Sequence, residues 1–138
     1  MRIRSIKPDY FQDEDLADLG PYARILYLGL KSLADRRGRV EDRPRRIQVA
    51  VLPYDRDVDV DRLLNDLVRV GRVVRYDVGG QRLIWLPKFE NEERIGGKEA
   101  QSESLLPEYV PTTTLRTGGK HQGSAGEAPR KQEWRAFG

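Results

Sequence analysis

Apolar residues recur regularly as far as Phe89, and the period of that recurrence changes along the chain. From Pro21 onward, Tyr22, Ile25, Leu26, Leu30 and Leu33 keep the spacing of one helical face. The predicted helix starts on a proline, where a missing N–H costs nothing. Arg36 and Arg37 fall in its expected last turn, favourably for the dipole, and Gly38 is a natural stop. Pro44 opens a second predicted helix through about Leu52, with Ile47, Ala50 and Val51 inward and Pro53 as its end. Asp59 is placed to cap a third, reaching about Val70, with Val60, Leu63, Leu64, Leu67 and Val70 inward and Gly71 beyond. Ahead of these, Lys7-Pro8 starts a short segment from Asp9 to Leu19. There Asp13 is the expected N-cap, and Phe11, Leu16 and Leu19 are the expected packing residues.

After Gly71 the period shortens to two. Arg72 to Val78 and Gln81 to Leu86 read as strands joined by Gly79-Gly80, a two-residue connection of the primed type because both glycines accept positive φ. The turn sets Val78 opposite Gln81, Tyr76 opposite Leu83 and Val74 opposite Trp85. Tyr76, Leu83, Val74 and Trp85 then share an apolar face expected to cover the helices, while Asp77 and Arg82 pair on the other face. Arg39-Val40-Glu41 reads as a short edge strand. The order of elements is that of an α+β, mainly α, winged helix-turn-helix: a three-helix core plus a β-hairpin wing. The connection Pro53 to Val58 is longer than the tightest turn of that motif.

Beyond Phe89 the pattern gives way to Gly, Pro, Ser, Thr, Glu and Gln. The expected division is a folded domain over residues 1–89 and a disordered polar tail over 90–138. Two apolar islands, Leu105-Leu106-Pro107-Glu108-Tyr109-Val110 and Trp134-Arg135-Ala136-Phe137, read as short peptides that dock on a partner or fold back on the domain.

The net charge of +3 is unevenly placed. Residues 1–89 hold 18 Lys and Arg against 14 Asp and Glu, whereas residues 90–138 hold 7 against 8. Fifteen of those 18 are arginine, whose planar fork of donors suits phosphates and guanine edges. The absence of cysteine excludes disulfides and thiolate metal sites. No apolar run approaches the roughly 20 residues that span a bilayer. The basic start, Met1 to Lys7, has no apolar stretch behind it and is not expected to be a signal peptide.

With Leu63, Leu64 and Leu67 inward, the third helix presents Arg62, Asn65, Asp66 and Arg69. Arg pairs with guanine and Asn with adenine in a major groove, so Arg62, Asn65 and Arg69 are the candidate base readers. The plainer reading is a solvated helix face with an Arg62–Asp66 pair, and Asp59, Asp61 and Asp66 would repel phosphates. The stronger electrostatic signal is Arg36, Arg37, Arg39, Arg43, Arg45 and Arg46, against only Glu41 and Asp42 in the same stretch. Arg43, Arg45 and Arg46 stand at the start of the second helix, where backbone N–H groups also favour phosphate. Such contacts give affinity and salt dependence but no sequence reading. On the wing, Arg75, Gln81 and Arg82 are further candidates.

Catalytic patterns are absent. His121 has no nucleophile beside it, and Gly118-Gly119-Lys120 lacks the full phosphate-loop pattern. Asp55, Asp57, Asp59 and Asp61 alternate as in a calcium loop, but Val60 stands where glycine is needed and Asp66 where glutamate is. Neither an enzyme, a cofactor nor a metal is expected.

Met1-Arg-Ile-Arg-Ser-Ile-Lys-Pro8, Leu33-Ala-Asp35, Gly38-Arg-Val-Glu-Asp-Arg-Pro44, Pro53-Tyr-Asp55, Asp57-Val-Asp-Val-Asp61, Leu63-Leu64 and Trp85-Leu-Pro-Lys-Phe89 together resemble a known family. It is the N-terminal winged-helix domain of phage and prophage replication initiators, the replisome-organiser-like proteins, and the resemblance covers roughly residues 1–95. It implies an origin-binding domain for double-stranded DNA. It also implies a C-terminal part that recruits the host replicative helicase or its loader, in the cytoplasm of a bacterial cell at the nucleoid. The third helix and the hairpin would be the DNA-contacting elements. After Phe89 the chain departs from the family, with Glu90, Glu92 and Glu93 in place of a basic, proline-containing stretch. Helicase recruitment would then fall to the apolar islands. Two other readings of the same fold are a small transcriptional regulator that binds operators as a homodimer, and a protein-interaction module that does not read DNA.

Overall fold

Gly20, at φ 96°, releases the chain into α2 (Pro21–Leu33), and the computed structural model describes residues 1–93, 103–111, 114 and 115. Ahead of α2 lie a 3-10 turn, Pro8–Gln12, and the short helix α1 (Glu14–Asp18), capped as expected by Asp13, whose carboxylate accepts from the Leu16 N–H. Leu16 is buried, but Phe11 is 64% exposed; Tyr10 takes the inward place by stacking on Tyr27.

The buried face of α2 is Ala23, Leu26, Tyr27, Leu30 and Lys31, rotated from the expected stripe, and Tyr22 and Ile25 stay exposed. Partners decide the rotation. The Tyr27 hydroxyl donates to Glu92 Oε1 at 2.8 Å, and the Lys31 ammonium is held by Glu93 at 2.7 Å and the Ser5 carbonyl at 2.8 Å. A paired lysine can be buried where an unpaired one cannot. The helix stops at Leu33, so Arg36 and Arg37 lie in the turn beyond it and not in its last turn. Gly38 closes that turn at φ 80°, with Phe89 packed where a side chain would otherwise stand.

Strand β1 (Arg39–Glu41) follows, then α3 (Pro44–Val51). Ile47 and Leu52 are buried and Val51 packs at the edge of the core, but Ala50 is exposed. Val51 presses against Gly29 of α2 so closely that a Cβ there would lie 2.3 Å from a Val51 methyl. The long connection to the next helix is tied down by Gln48, whose amide donates to the Asp55 and Val58 carbonyls. Helix α4 (Val60–Arg69) is capped by Asp59 through the Arg62 N–H. It buries Val60, Leu63, Leu64, Leu67 and Val68; Val70, expected inward, is the C-cap residue and half-buried.

Gly71, at φ 77°, turns the chain into the hairpin β2 (Val74–Val78) and β3 (Gln81–Trp85). Its register is the expected one, and Gly79 and Gly80 both take positive φ, 57° and 81°. The antiparallel sheet has the order β1-β3-β2-β4, where β4 is only Thr114–Leu115. Ile84, Val40 and the flanking Val73 and Leu86 join α2, α3 and α4 in the main core, closed at one end by Phe89 of α5 (Phe89–Glu92).

The expected face is the wrong one. Val74, Tyr76, Leu83 and Trp85 point away from the helices and form a second apolar cluster, covered by Leu106 and Tyr109. Tyr109 stacks on Trp85 and meets Tyr76 edge-on, while the Tyr76 hydroxyl donates to the Pro107 carbonyl at 2.8 Å. Burial pushes the Tyr76 phenol up to about 12. Both faces of the sheet are therefore apolar, and residues 103–111 strap across the outer one. This segment, expected to be free tail, is part of the fold, and so are Glu90 to Glu93, which follow Phe89 in and after α5. The Trp134–Phe137 island, Gly118–Lys120 and His121 lie outside the described residues.

Candidate functional site

Two elements distant in sequence meet at one groove. Arg43, Pro44, Arg45 and Arg46, at the start of α3, face Gly80, Gln81 and Arg82 of the hairpin tip across a groove of about 480 Å³. The Asp42 N–H donates to the Arg82 carbonyl at 2.9 Å, and that bond holds the two sides together. Arg43, Arg45, Arg46 and Arg82 are exposed and, among the described residues, have no carboxylate partner. Glu41 and Asp42 also line the groove, but Asp42 is 1% exposed and satisfied from within. Pro44 sits at the first helical position of α3, so the free backbone donors there are those of the next residues, and the helix dipole adds to the arginine charge.

What satisfies Asp42 is Arg75, and here the expected role of a candidate is overturned. Arg75 stands beside Ile84 on the helix-facing side of the sheet and is 2% exposed. Its Nε and Nη2 donate to the two Asp42 oxygens at 2.7 and 2.9 Å; Nη2 also reaches Asp61 Oδ1 and Nη1 reaches Asn65 Oδ1, each at 2.8 Å. Burial disfavours the charge, but the two carboxylates outweigh it and raise the guanidinium above its ordinary value. Arg75 cannot contact a phosphate from this position.

The same bonds revise the α4 candidates. Asn65 is half-buried with its carbonyl oxygen given to Arg75, so it lacks the acceptor that a bidentate adenine contact needs. Arg62 and Arg69 remain on the exposed face. Arg69 pairs with Asp66 at 2.7 Å, in place of the expected Arg62–Asp66 pair. The alternating aspartates have local duties: Asp59 caps α4 and Asp61 neutralises Arg75.

The remaining basic residues disperse. Arg37 pairs with Glu90 at 3.1 Å on the surface. Arg39 lies on the outer side of the sheet and binds the strap, donating to Ser104 Oγ at 3.1 Å and the Leu106 carbonyl at 2.8 Å. Arg36 lines a second cleft, together with Arg2, Leu33, Val40, Ile47, Leu105 and Leu106. Of the six arginines between Arg36 and Arg46, only the last three reach the hairpin-tip groove. Asp42 and Asp61 were missed from sequence because an acidic side chain in a basic stretch reads as solubility, and only the tertiary fold reveals their shared partner.

Comparison with family models, with curated proteins and with solved structures returned no match for this chain. No helix among the described residues is long and apolar enough to cross a membrane.

Proposed function

We propose that this chain is a winged helix-turn-helix protein that binds double-stranded DNA sequence-specifically and acts in phage-type replication initiation at an origin. The observation that carries the DNA reading is the groove at which Arg43, Arg45 and Arg46 of α3 meet Arg82 and Gln81 of the hairpin tip, its arginines exposed and without carboxylate partners among the described residues. In this reading α2, α3 and α4 are the three-helix core and β2–β3 is the wing. The groove arginines hold phosphates, and Arg62 and Arg69 on α4 read base edges. Arg69 exchanges its Asp66 partner for a base on binding, a small loss because exposed pairs of this kind contribute little.

Replication initiation rests on the family resemblance of residues 1–95 and not on the groove. Within the proposal, contact with a helicase or its loader belongs to the Trp134–Phe137 island, because Leu106 and Tyr109 of the other island are engaged by the protein's own sheet. The test is selection from a random duplex pool with the full chain, followed by anisotropy on the selected site and a scrambled control. Arg69→Ala is expected to reduce the preference for the selected site by about 1–3 kcal/mol. Arg46→Ala is expected to weaken both duplexes alike. Recovery of no enriched sequence would remove the sequence-specific reading. A footprint of two symmetric half-sites near a promoter would favour a dimeric transcriptional regulator.

A further inference from the structure

The cleft beside the groove has a different chemistry. It encloses about 550 Å³ between α3, β1 and the strap, within the range of small-ligand and peptide-anchor sites. Its floor is aliphatic: Leu33, Val40, Ile47 and Leu106, with Leu105 at the rim, 93% exposed. Five arginines line it, Arg2, Arg36, Arg39, Arg43 and Arg46, against Asp35, Glu41 and Glu103, and Arg39 is already engaged by Ser104, the Leu106 carbonyl and Glu108. Asp35 is already consumed by the backbone N–H groups of Arg37 and Arg39 and by the Ser104 hydroxyl. Arg36, one of the residues that line this cleft, has its Nε shielded from solvent with no hydrogen-bond partner among the described residues.

We propose that this cleft docks a short acidic peptide of a partner protein, one aliphatic or aromatic anchor flanked by aspartate or glutamate. A duplex backbone has phosphates for the arginines but nothing apolar for the floor. A peptide brings both within adjacent residues: the anchor fills the space under Leu105, and a carboxylate pairs with Arg36. Arg43 and Arg46 line this cleft and the hairpin-tip groove alike. An acidic peptide seated here therefore competes with DNA phosphates for the same guanidinium groups. That competition rests on the DNA reading; the docking itself does not.

The experiment uses the full chain and a fluorescein-labelled peptide, Glu-Asp-Leu-Leu-Asp-Glu, followed by anisotropy. Micromolar binding is expected. It should weaken at least about tenfold when the two leucines of the peptide become alanine, and similarly when its acids become amides. Leu105→Ser, at an exposed site that cannot disturb the core, should weaken the peptide severalfold while leaving duplex affinity unchanged. Arg36→Gln should weaken the peptide likewise. Equal binding of the alanine peptide, or indifference to both Leu105→Ser and Arg36→Gln, would reduce the interaction to nonspecific charge attraction and overturn the proposal. Added duplex should displace the peptide; docking without displacement would remove the competition and keep the site.

Discussion

Arg75 joins three parts of the chain through one side chain: β2, Asp42 between β1 and α3, and the first two turns of α4. Removing it breaks the buried ion pair with Asp42, a loss of about 3–5 kcal/mol for pairs of this kind. Arg75→Ala is expected to lower the urea midpoint by that order, and a shift below about 1 kcal/mol would show that Asp42 finds water or another donor. Sequence could not place Arg75, because alternation along β2 assigns a side without saying which side is inner. Val74 and Tyr76 are the more apolar pair and so claimed the core. A smaller effect belongs to Asp13, which caps α1 and binds Arg72. Burial pushes its carboxyl up, yet the Arg72 bond and the Leu16 N–H prevail and hold it below its ordinary 3.8. A lowered folded-state value means stability present above about pH 4 and lost as pH falls through the folded value. Asp13→Asn should therefore flatten the acid limb of an unfolding-versus-pH curve.

At the scale of elements, the strap over residues 103–111 changes where the folded unit ends. It covers Val74, Tyr76, Leu83 and Trp85, an apolar face too large to leave in water. A chain ending at Glu93 is expected to melt lower than the full chain and to self-associate, measurable by calorimetry and light scattering; equal melting temperatures would make the strap dispensable. The strap was half legible. Its Leu-Leu-Pro-Glu-Tyr-Val island stood out of a polar stretch, but only the paired apolar residues Val73-Val74 and Leu83-Ile84 signal a sheet with two faces to bury. The helices and the hairpin register were legible because caps, prolines and Gly79-Gly80 fix them locally. The rotation of α2 was not, since it depends on Glu92 and Glu93 more than sixty residues away. Gly29 belongs to the same scale: Gly29→Ala would drive a methyl into Val51 and is expected to cost about 1–3 kcal/mol by forcing α2 and α3 apart.

For the whole molecule, titration and charge give two separate tests. Burial lifts the Tyr10 and Tyr76 phenols from about 10 to about 12 and raises Tyr27 as well. A folded value above the unfolded one means stability intact below about pH 10 and lost as pH climbs toward about 12. Chemical unfolding across that window should show the decline, and Tyr76→Phe should reduce its slope. Separately, the fold gathers Arg43, Arg45, Arg46 and Arg82 at one groove, and the proposed DNA binding stands or falls with them. The most direct measurement is the affinity of the full chain for a labelled duplex between about 50 and about 200 mM salt, beside a variant with Arg43, Arg45 and Arg46 all changed to alanine. Each lost phosphate contact should reduce the log–log slope by about 0.9, so the variant should bind weakly and with a much flatter salt dependence. A folded variant that matches the wild-type affinity and slope would contradict the assignment of this groove to DNA.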